Sequence, residues 1–137
     1  MEAVALKSRL KYLLDTHAFL WAAADEDRLG PEAARLLAVT PYEQLAISDV
    51  TLQEIGLLLH SGKITLGGTP ATVLAGLLDY VQVLPISLPV AIAAPALPLA
   101  HGDQFDRIIT ATAKVHKLAL ITKDAAITDA RIVPVIW

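Results

Sequence analysis

Leu10-Lys11-Tyr12-Leu13-Leu14-Asp15-Thr16-His17-Ala18-Phe19-Leu20-Trp21 is the stretch on which the rest of the chain is read. An apolar run of strand length stops at an acid, and a segment of helical composition, Thr16 to Ala24, starts directly behind it. The same order recurs downstream. Leu45-Ala46-Ile47-Ser48 reads as a strand followed by a helix that Ser48 or Asp49 can cap and that runs to about His60, closed by Ser61-Gly62-Lys63. Val81 to Ile86 reads as a third strand, with a short helix from Pro89 to Leu97 behind a Ser87 cap. Leu118 to Thr122 and Ile132 to Ile136 are the last two strands. Helices are expected over Pro31 to Val39, with Pro in the first turn, from about Ala71 to Tyr80 after the turn Gly67-Gly68-Thr69-Pro70, and within His101 to Lys117. Strands separated by helices require right-handed crossovers and a mostly parallel sheet covered on both faces. The expected fold is therefore α/β, a single domain over residues 10–137 with about five strands, preceded by Met1 to Arg9 as a loose tail.

A chain of 137 residues suffices for one such domain and is short for two. With 55% hydrophobic and 18% charged residues it is not intrinsically disordered, and with 5% aromatics its core must be aliphatic. The absence of cysteine excludes disulfides and thiolate chemistry and suits a reducing cytoplasm. A mean hydropathy of +0.54 raises the question of a membrane span. The longest stretch without Asp, Glu, Lys or Arg, Tyr80 to Gly102, carries Pro85, Pro89, Pro95 and Pro98, which disfavour a continuous spanning helix. Met1 to Arg9 lacks the order of a secretory signal, so a soluble cytoplasmic chain without membrane association is expected. The net charge of −3 argues, taken alone, against a partner with a phosphate backbone.

The acids qualify that argument. In open α/β sheets ligands bind outside the carboxyl ends of the strands. Asp15 follows the first strand directly and Asp124 follows the fourth by two residues, so both fall on that edge. Each also has a local explanation, Asp15 as a helix cap and Asp124 as part of a turn. Glu54 lies among Val50, Leu57 and Leu58 on its helix, where a carboxylate is costly to bury without a partner. Asp106 lines up with Ile109 and Ala113 on the inward side of a helix whose polar stripe is Asp103, Arg107, Thr110, Lys114 and Lys117. Asp103 is the natural cap of that helix. Four acids at one strand edge repel unless cations neutralise them. With no cysteine and no regular spacing of His17, His60, His101 and His116, an oxygen-rich site suits Mg²⁺ or Mn²⁺ rather than Zn²⁺.

The motifs around these acids resemble those of the PIN-domain family, specifically its VapC-like toxins. Leu13 to Trp21 resembles the family's opening motif, Ile47 to Ile55 the second, ending in its acidic Glu54, His101 to Ala113 the third, and Leu120 to Asp124 the fourth. The four occur in order across nearly the whole chain. The resemblance implies an α/β/α sandwich and a metal-dependent ribonuclease acting on RNA, with a catalytic and metal-binding site at Asp15, Glu54, Asp106 and Asp124. It also implies a cognate antitoxin protein and a homodimer. Gln104, where relatives often carry Pro, the proline-rich Pro89 to Pro98 segment and the extra residues before Leu10 depart from the pattern without removing a site acid.

On this basis Asp15 and Asp106 are expected to hold a first ion most directly, with Glu54 and Asp124 completing that site or a second one. Such ions activate water and stabilise the oxygens of an in-line phosphoryl displacement. Thr16, Ser48 and Thr122 place hydroxyls at the same edge, as caps and strand-end hydrogen bonders or as supports for a water or phosphate, and Asp103 is a further supporting candidate. Arg107 and Lys123 adjoin site acids and are candidate RNA-phosphate contacts, whereas Lys114 and Lys117 read as a solvated face. His101 is read as a loop histidine, and Trp21 and Trp137 as packing residues. Alternatives are a PIN-like scaffold that cleaves nothing and a haloacid-dehalogenase-type phosphatase, which would want an acid where His17 stands. Removing the four site acids from a net charge of −3 leaves the rest of the chain at +1, so the negative total is partly the site itself.

Overall fold

The computed structural model describes residues 9–100 and 102–137. The expected tail, apart from Arg9, and His101 lie outside the described residues. The strands are β1 (Tyr12–Leu14), β2 (Leu45–Ser48), β3 (Gln82–Leu84), β4 (Ala119–Ile121) and β5 (Val135–Ile136). The helices are α1 (Thr16–Ala24), α2 (Pro31–Val39), α3 (Asp49–His60), α4 (Pro70–Leu77), α5 (Leu88–Ala96), α6 (Gln104–His116) and α7 (Ala125–Ala130). All strand pairs are parallel, in the order β3-β2-β1-β4-β5. The chain thus winds outward from β1 through β2 to β3, then returns to the other side of β1 for β4 and β5. The direction of winding changes between β1 and β4, which opens a crevice at their carboxyl ends.

Side-chain alternation along these short strands feeds two cores. Leu13 pairs with Ala46 and Leu120, and all three belong to one cluster with Val90 and Ala94 of α5, Ile109 and Ala113 of α6, and Ile127 of α7. Their neighbours Leu14, Ile47 and Ile121 point the other way, into a cluster with Ala18 and Phe19 of α1, Ala33 of α2 and Ile55 of α3. A strand buried on both faces reads as a continuous apolar run, which is why β1, β2 and β4 were legible.

Three local differences from expectation have physical reasons. Asp124 begins a helix rather than a simple turn: its carboxylate accepts from the Ile127 amide at 2.8 Å, and α7 then buries Ile127 against the sheet. Thr110, expected on the polar stripe of α6, is fully buried because α6 is enclosed between the sheet and neighbouring helices, and its whole middle, Ile109 to Ala113, is buried. The prolines do not break α5. Pro89 occupies its first turn, Pro95 falls in its last, and the helix ends before Pro98.

Two backbone positions make the packing testable. A Cβ on Gly30 would stand 2.2 Å from the Trp137 carbonyl oxygen, which itself accepts from the Ala33 amide at 2.9 Å. Backbone cannot yield as a flexible side chain does, so Gly30→Ala should cost about 1–3 kcal/mol of stability, read as a lower urea midpoint. Lys117 closes α6 in the left-handed region at φ 57°. Lys117→Gly should relieve that strain and raise stability by about 1 kcal/mol in the same measurement.

Candidate active site

Asp15 sits at the crevice, between the end of β1 and the start of α1. Its backbone amide donates to the Ile121 carbonyl of β4 at 3.1 Å, extending the β1–β4 ladder by one residue. One carboxylate oxygen accepts from the Ala18 amide at 2.8 Å, capping α1, and the other accepts from the Thr122 hydroxyl. Thr122 in turn accepts from the Asp124 amide at 3.1 Å. One threonine therefore links the acid after β1 to the acid after β4. The local explanation of Asp15 as a cap and its membership of the cleft are both realised.

The cleft has a volume of about 390 Å³ and is lined by Asp15, His17, Trp21, Glu54, Asp103, Asp106, Lys123 and Asp124. All four acids singled out in the sequence face it, with Asp103 as a fifth. Glu54 projects from α3, and its Oε1 is buried without a hydrogen-bond partner. Asp103 caps α6 by accepting from the Phe105 and Asp106 amides at 2.9 and 3.2 Å, which points the first turn of α6, and with it Asp106, at the cleft. Burial pushes the Asp106 carboxyl up to about 7, with further upward contributions from the charges of Asp103, Asp124, Asp15 and Glu54. Burial also raises Asp15, against the opposing effects of Thr122, the Ala18 amide and His17.

These acids are an all-oxygen donor set of the kind that suits a hard divalent cation. An orphaned buried carboxylate oxygen on Glu54 and an Asp106 charge resisted by its neighbours are what such an ion would relieve. Among the described residues, no three Asp, Glu or His side chains stand as a closed cage for an ion.

The supporting candidates divide. Thr16 shares a hydrogen bond of 3.1 Å with Thr51 in the buried seam between α1 and α3, and Ser48 accepts from the Val50 amide at 3.2 Å as the α3 cap. Thr122 alone of the three bonds a site acid through its side chain. Arg107 and Lys123 also part ways. Lys123 is exposed and lines the cleft. Arg107 donates to the carbonyls of Ala94, Leu97 and Leu99, at 3.3, 3.0 and 3.2 Å, and so clamps the end of α5. The sequence reading missed His17 and Trp21 as cleft residues. Their spacing of four on α1, just behind Asp15, is the signal that places them on one face.

Comparison with known proteins agrees with this fold. The PIN domain family matches residues 12–132. The chain is 33% identical over 120 residues to Ribonuclease VapC22 of Mycobacterium tuberculosis, covering 87% of this chain and 91% of that protein. Its fold is similar to the crystal structure of FitAcB from Neisseria gonorrhoeae, with a TM-score of 0.67 at 25% identity over 90% of this chain and 95% of the other. It is also similar to a toxin–antitoxin complex from Klebsiella pneumoniae, with a TM-score of 0.65 at 25% identity and the same coverage. The matched span contains Asp15, Glu54, Asp106 and Asp124, and the chain belongs to the PIN-domain family.

Proposed function

We propose that this chain is a metal-dependent endoribonuclease and the toxin of a toxin–antitoxin pair, working in the cytoplasm. The observation that carries the proposal is the convergence of Asp15, Glu54, Asp106 and Asp124 on one cleft at the β1–β4 crevice. Similarity to a VapC ribonuclease over most of both chains supplies the substrate class, and the family's ribonucleases are metal-dependent in general. Asp15 and Asp106 are the ligands proposed for a first Mg²⁺ or Mn²⁺, with Glu54 and Asp124 completing that site or a second one. When bound, such an ion neutralises the acids, activates water and stabilises charge on the phosphoryl oxygens. Thr122 keeps Asp15 and Asp124 in register, Asp103 orients the first turn of α6, and Lys123 is proposed to contact an RNA phosphate. Arg107 serves as an anchor for α5.

Likeness to a toxin–antitoxin complex supports an antitoxin partner. An apolar groove of about 580 Å³, lined in part by Phe19, Ala34, Leu37, Leu77 and Val81, is the surface proposed for it. Val83, Ile86, Leu88 and Ile92 are exposed along edge strand β3 and α5, a surface proposed for a homodimer. Among the described residues, no helix is long and apolar enough to cross a membrane. The alternative reading is a PIN-like scaffold that binds a partner and cleaves nothing. Incubating purified, antitoxin-free protein with RNA in Mg²⁺ or in EDTA decides between them.

Asp15→Asn and Asp106→Asn should each abolish Mg²⁺-dependent cleavage while the circular dichroism spectrum stays unchanged. Full activity of Asp15→Asn would sink the assignment. Thr122→Val should cut cleavage by about 10–100-fold, with part of the loss recovered at higher Mg²⁺, because it loosens a ligand without removing it.

The raised Asp106 carboxyl has its own signature. Between its ordinary value of 3.8 and about 7, the folded chain holds a proton that the unfolded chain has released. This group's contribution to stability is therefore present at low pH and lost as pH rises through about 7. In EDTA, Asp106→Asn should melt above the parent protein at pH 8, and the gap should close by pH 4. Mg²⁺ should raise the parent's melting temperature at pH 8 and do so less at pH 5.5, where protons compete for the ligands.

A further inference from the structure

Trp21 lies six residues after Asp15 on α1, is half-buried, and forms part of the cleft wall. Its setting is unlike that of a core tryptophan. Ala18, Phe19 and Leu20 turn the inward side of α1 into the core and are buried. His17, one turn before Trp21, is exposed and lines the same cleft. The imidazole and indole centroids are 5.7 Å apart with their planes at 51°. Trp137 braces the indole at 5.7 Å and 57°. Two exposed cations also approach that ring: Arg28 Cζ stands 4.8 Å from its centroid and Lys123 Nζ 5.9 Å.

A partly buried indole held by a second aromatic ring is pre-organised, so little side-chain freedom remains to be lost when something lies against it. Cations over an aromatic face are attracted to it, but at exposed sites that attraction is weak, and a phosphate would compete for them. A nucleotide brings both matching groups together, a base with a π face and a phosphate with a negative charge. The remainder of the cleft is acidic and repels a polyanion. Among the described residues lining it, Lys123 is the one lysine or arginine, and it adjoins Asp124. The aromatic wall and the cations therefore coincide at the Trp21 ring.

We infer that Trp21, with His17 beside it, is the stacking platform for one base of a single-stranded RNA next to the cleaved bond, and that Lys123 and Arg28 take the adjoining phosphate. Single-stranded RNA follows from the geometry, since a base inside a duplex already has both faces covered. The inference rests on the ribonuclease reading for its substrate class and adds where the strand is gripped. Trp21 is a binding residue in this account and takes no part in bond cleavage.

The probe is an unstructured 2′-O-methyl RNA hexamer in Mg²⁺, compared with the same backbone lacking all bases. The hexamer should quench the protein's tryptophan fluorescence and the abasic strand should not. The quenching should vanish in Trp21→Phe, whose remaining indole is Trp137. In cleavage of unmodified RNA, Trp21→Ala should raise KM roughly tenfold with kcat within about threefold, and Trp21→Phe should hold KM near the parent value because the ring is kept. Equal quenching by both strands, absent quenching, or an unchanged KM in Trp21→Ala would overturn the stacking site. The comparison of strands on the parent protein needs no variant, so a Trp21→Ala chain that fails to fold leaves the question decidable. Base-dependent quenching in a protein that cleaves no RNA would support the platform while removing the ribonuclease reading. Cleavage without base-dependent quenching would do the reverse.

Discussion

A carboxylate at the end of the central strand cannot be buried without compensation, and the way Asp15 is compensated organises the molecule around it. The residue is only 8% exposed, and that burial disfavours the charged form. One oxygen takes an amide at the start of α1, where the helix dipole favours negative charge, and the other takes the Thr122 hydroxyl beyond β4. The first bond sets the exit of α1 from the sheet, and the second joins the two strands on which the winding direction turns. Thr122 passes the constraint to Asp124, whose own carboxylate starts α7. Cap, ladder and cleft are thus parts of one hydrogen-bonded chain. Removing the acid would loosen the elements as well as the chemistry, although asparagine keeps an acceptor for the cap.

Much of this was legible because the decisive residues are local. A strand that ends at an acid, a helix that starts at a cap, and a glycine that follows a helix are short-range signals, and β1, β2, α1 and α3 all carry them. Asp15 and Asp124 could be placed on one edge from strand ends alone. Glu54 and Asp106 stood out by the conflict between their charge and their apolar helix neighbours, and the family resemblance joined the four into one site. What could not be read depended on partners distant in sequence. Thr110 looks polar and exposed until α6 is enclosed. Arg107 looks like a cleft cation beside Asp106 until the end of α5 arrives with three carbonyls. Trp21 looks like packing because Trp137 does pack on it, yet the other surroundings of the ring belong to the cleft. The helix α7 was missed for a different reason: six residues carry too little periodicity to stand out, and only the Asp124 cap announced it.

The charge balance takes its meaning from this placement. A net charge of −3 spread over a surface would weaken binding of any polyanion, but five of the fourteen acids line a single cleft. Burial and mutual repulsion hold the Asp106 carboxyl near neutrality, so the cleft already carries less charge than its composition suggests. A divalent ion would lower it further. The negative total therefore describes the cleft, and it says little about the outer surface that a strand of RNA would cross.

Adjacent residues on α6 show how the fold keeps such a site in place. Asp106 faces the cleft, while Arg107, the next residue, turns to the far side and donates to the carbonyls of Ala94, Leu97 and Leu99. Those carbonyls are at or beyond the end of α5, where those of Ala94 and Leu97 also accept from the Leu97 and Leu99 amides at 3.4 and 2.9 Å, so Arg107 adds donors where the helix ladder runs out. The first turn of α6 is consequently held on both sides of Asp106: its cap, Asp103, accepts from the Phe105 and Asp106 amides, and the Arg107 side chain anchors the residue after it. A carboxylate opposed by four neighbouring acids would otherwise relax outward into water, at the cost of only a side-chain rotation and a frayed turn. Fixing the backbone on either side limits that escape, so that the repulsion is retained within the cleft and is available to be relieved by a bound cation.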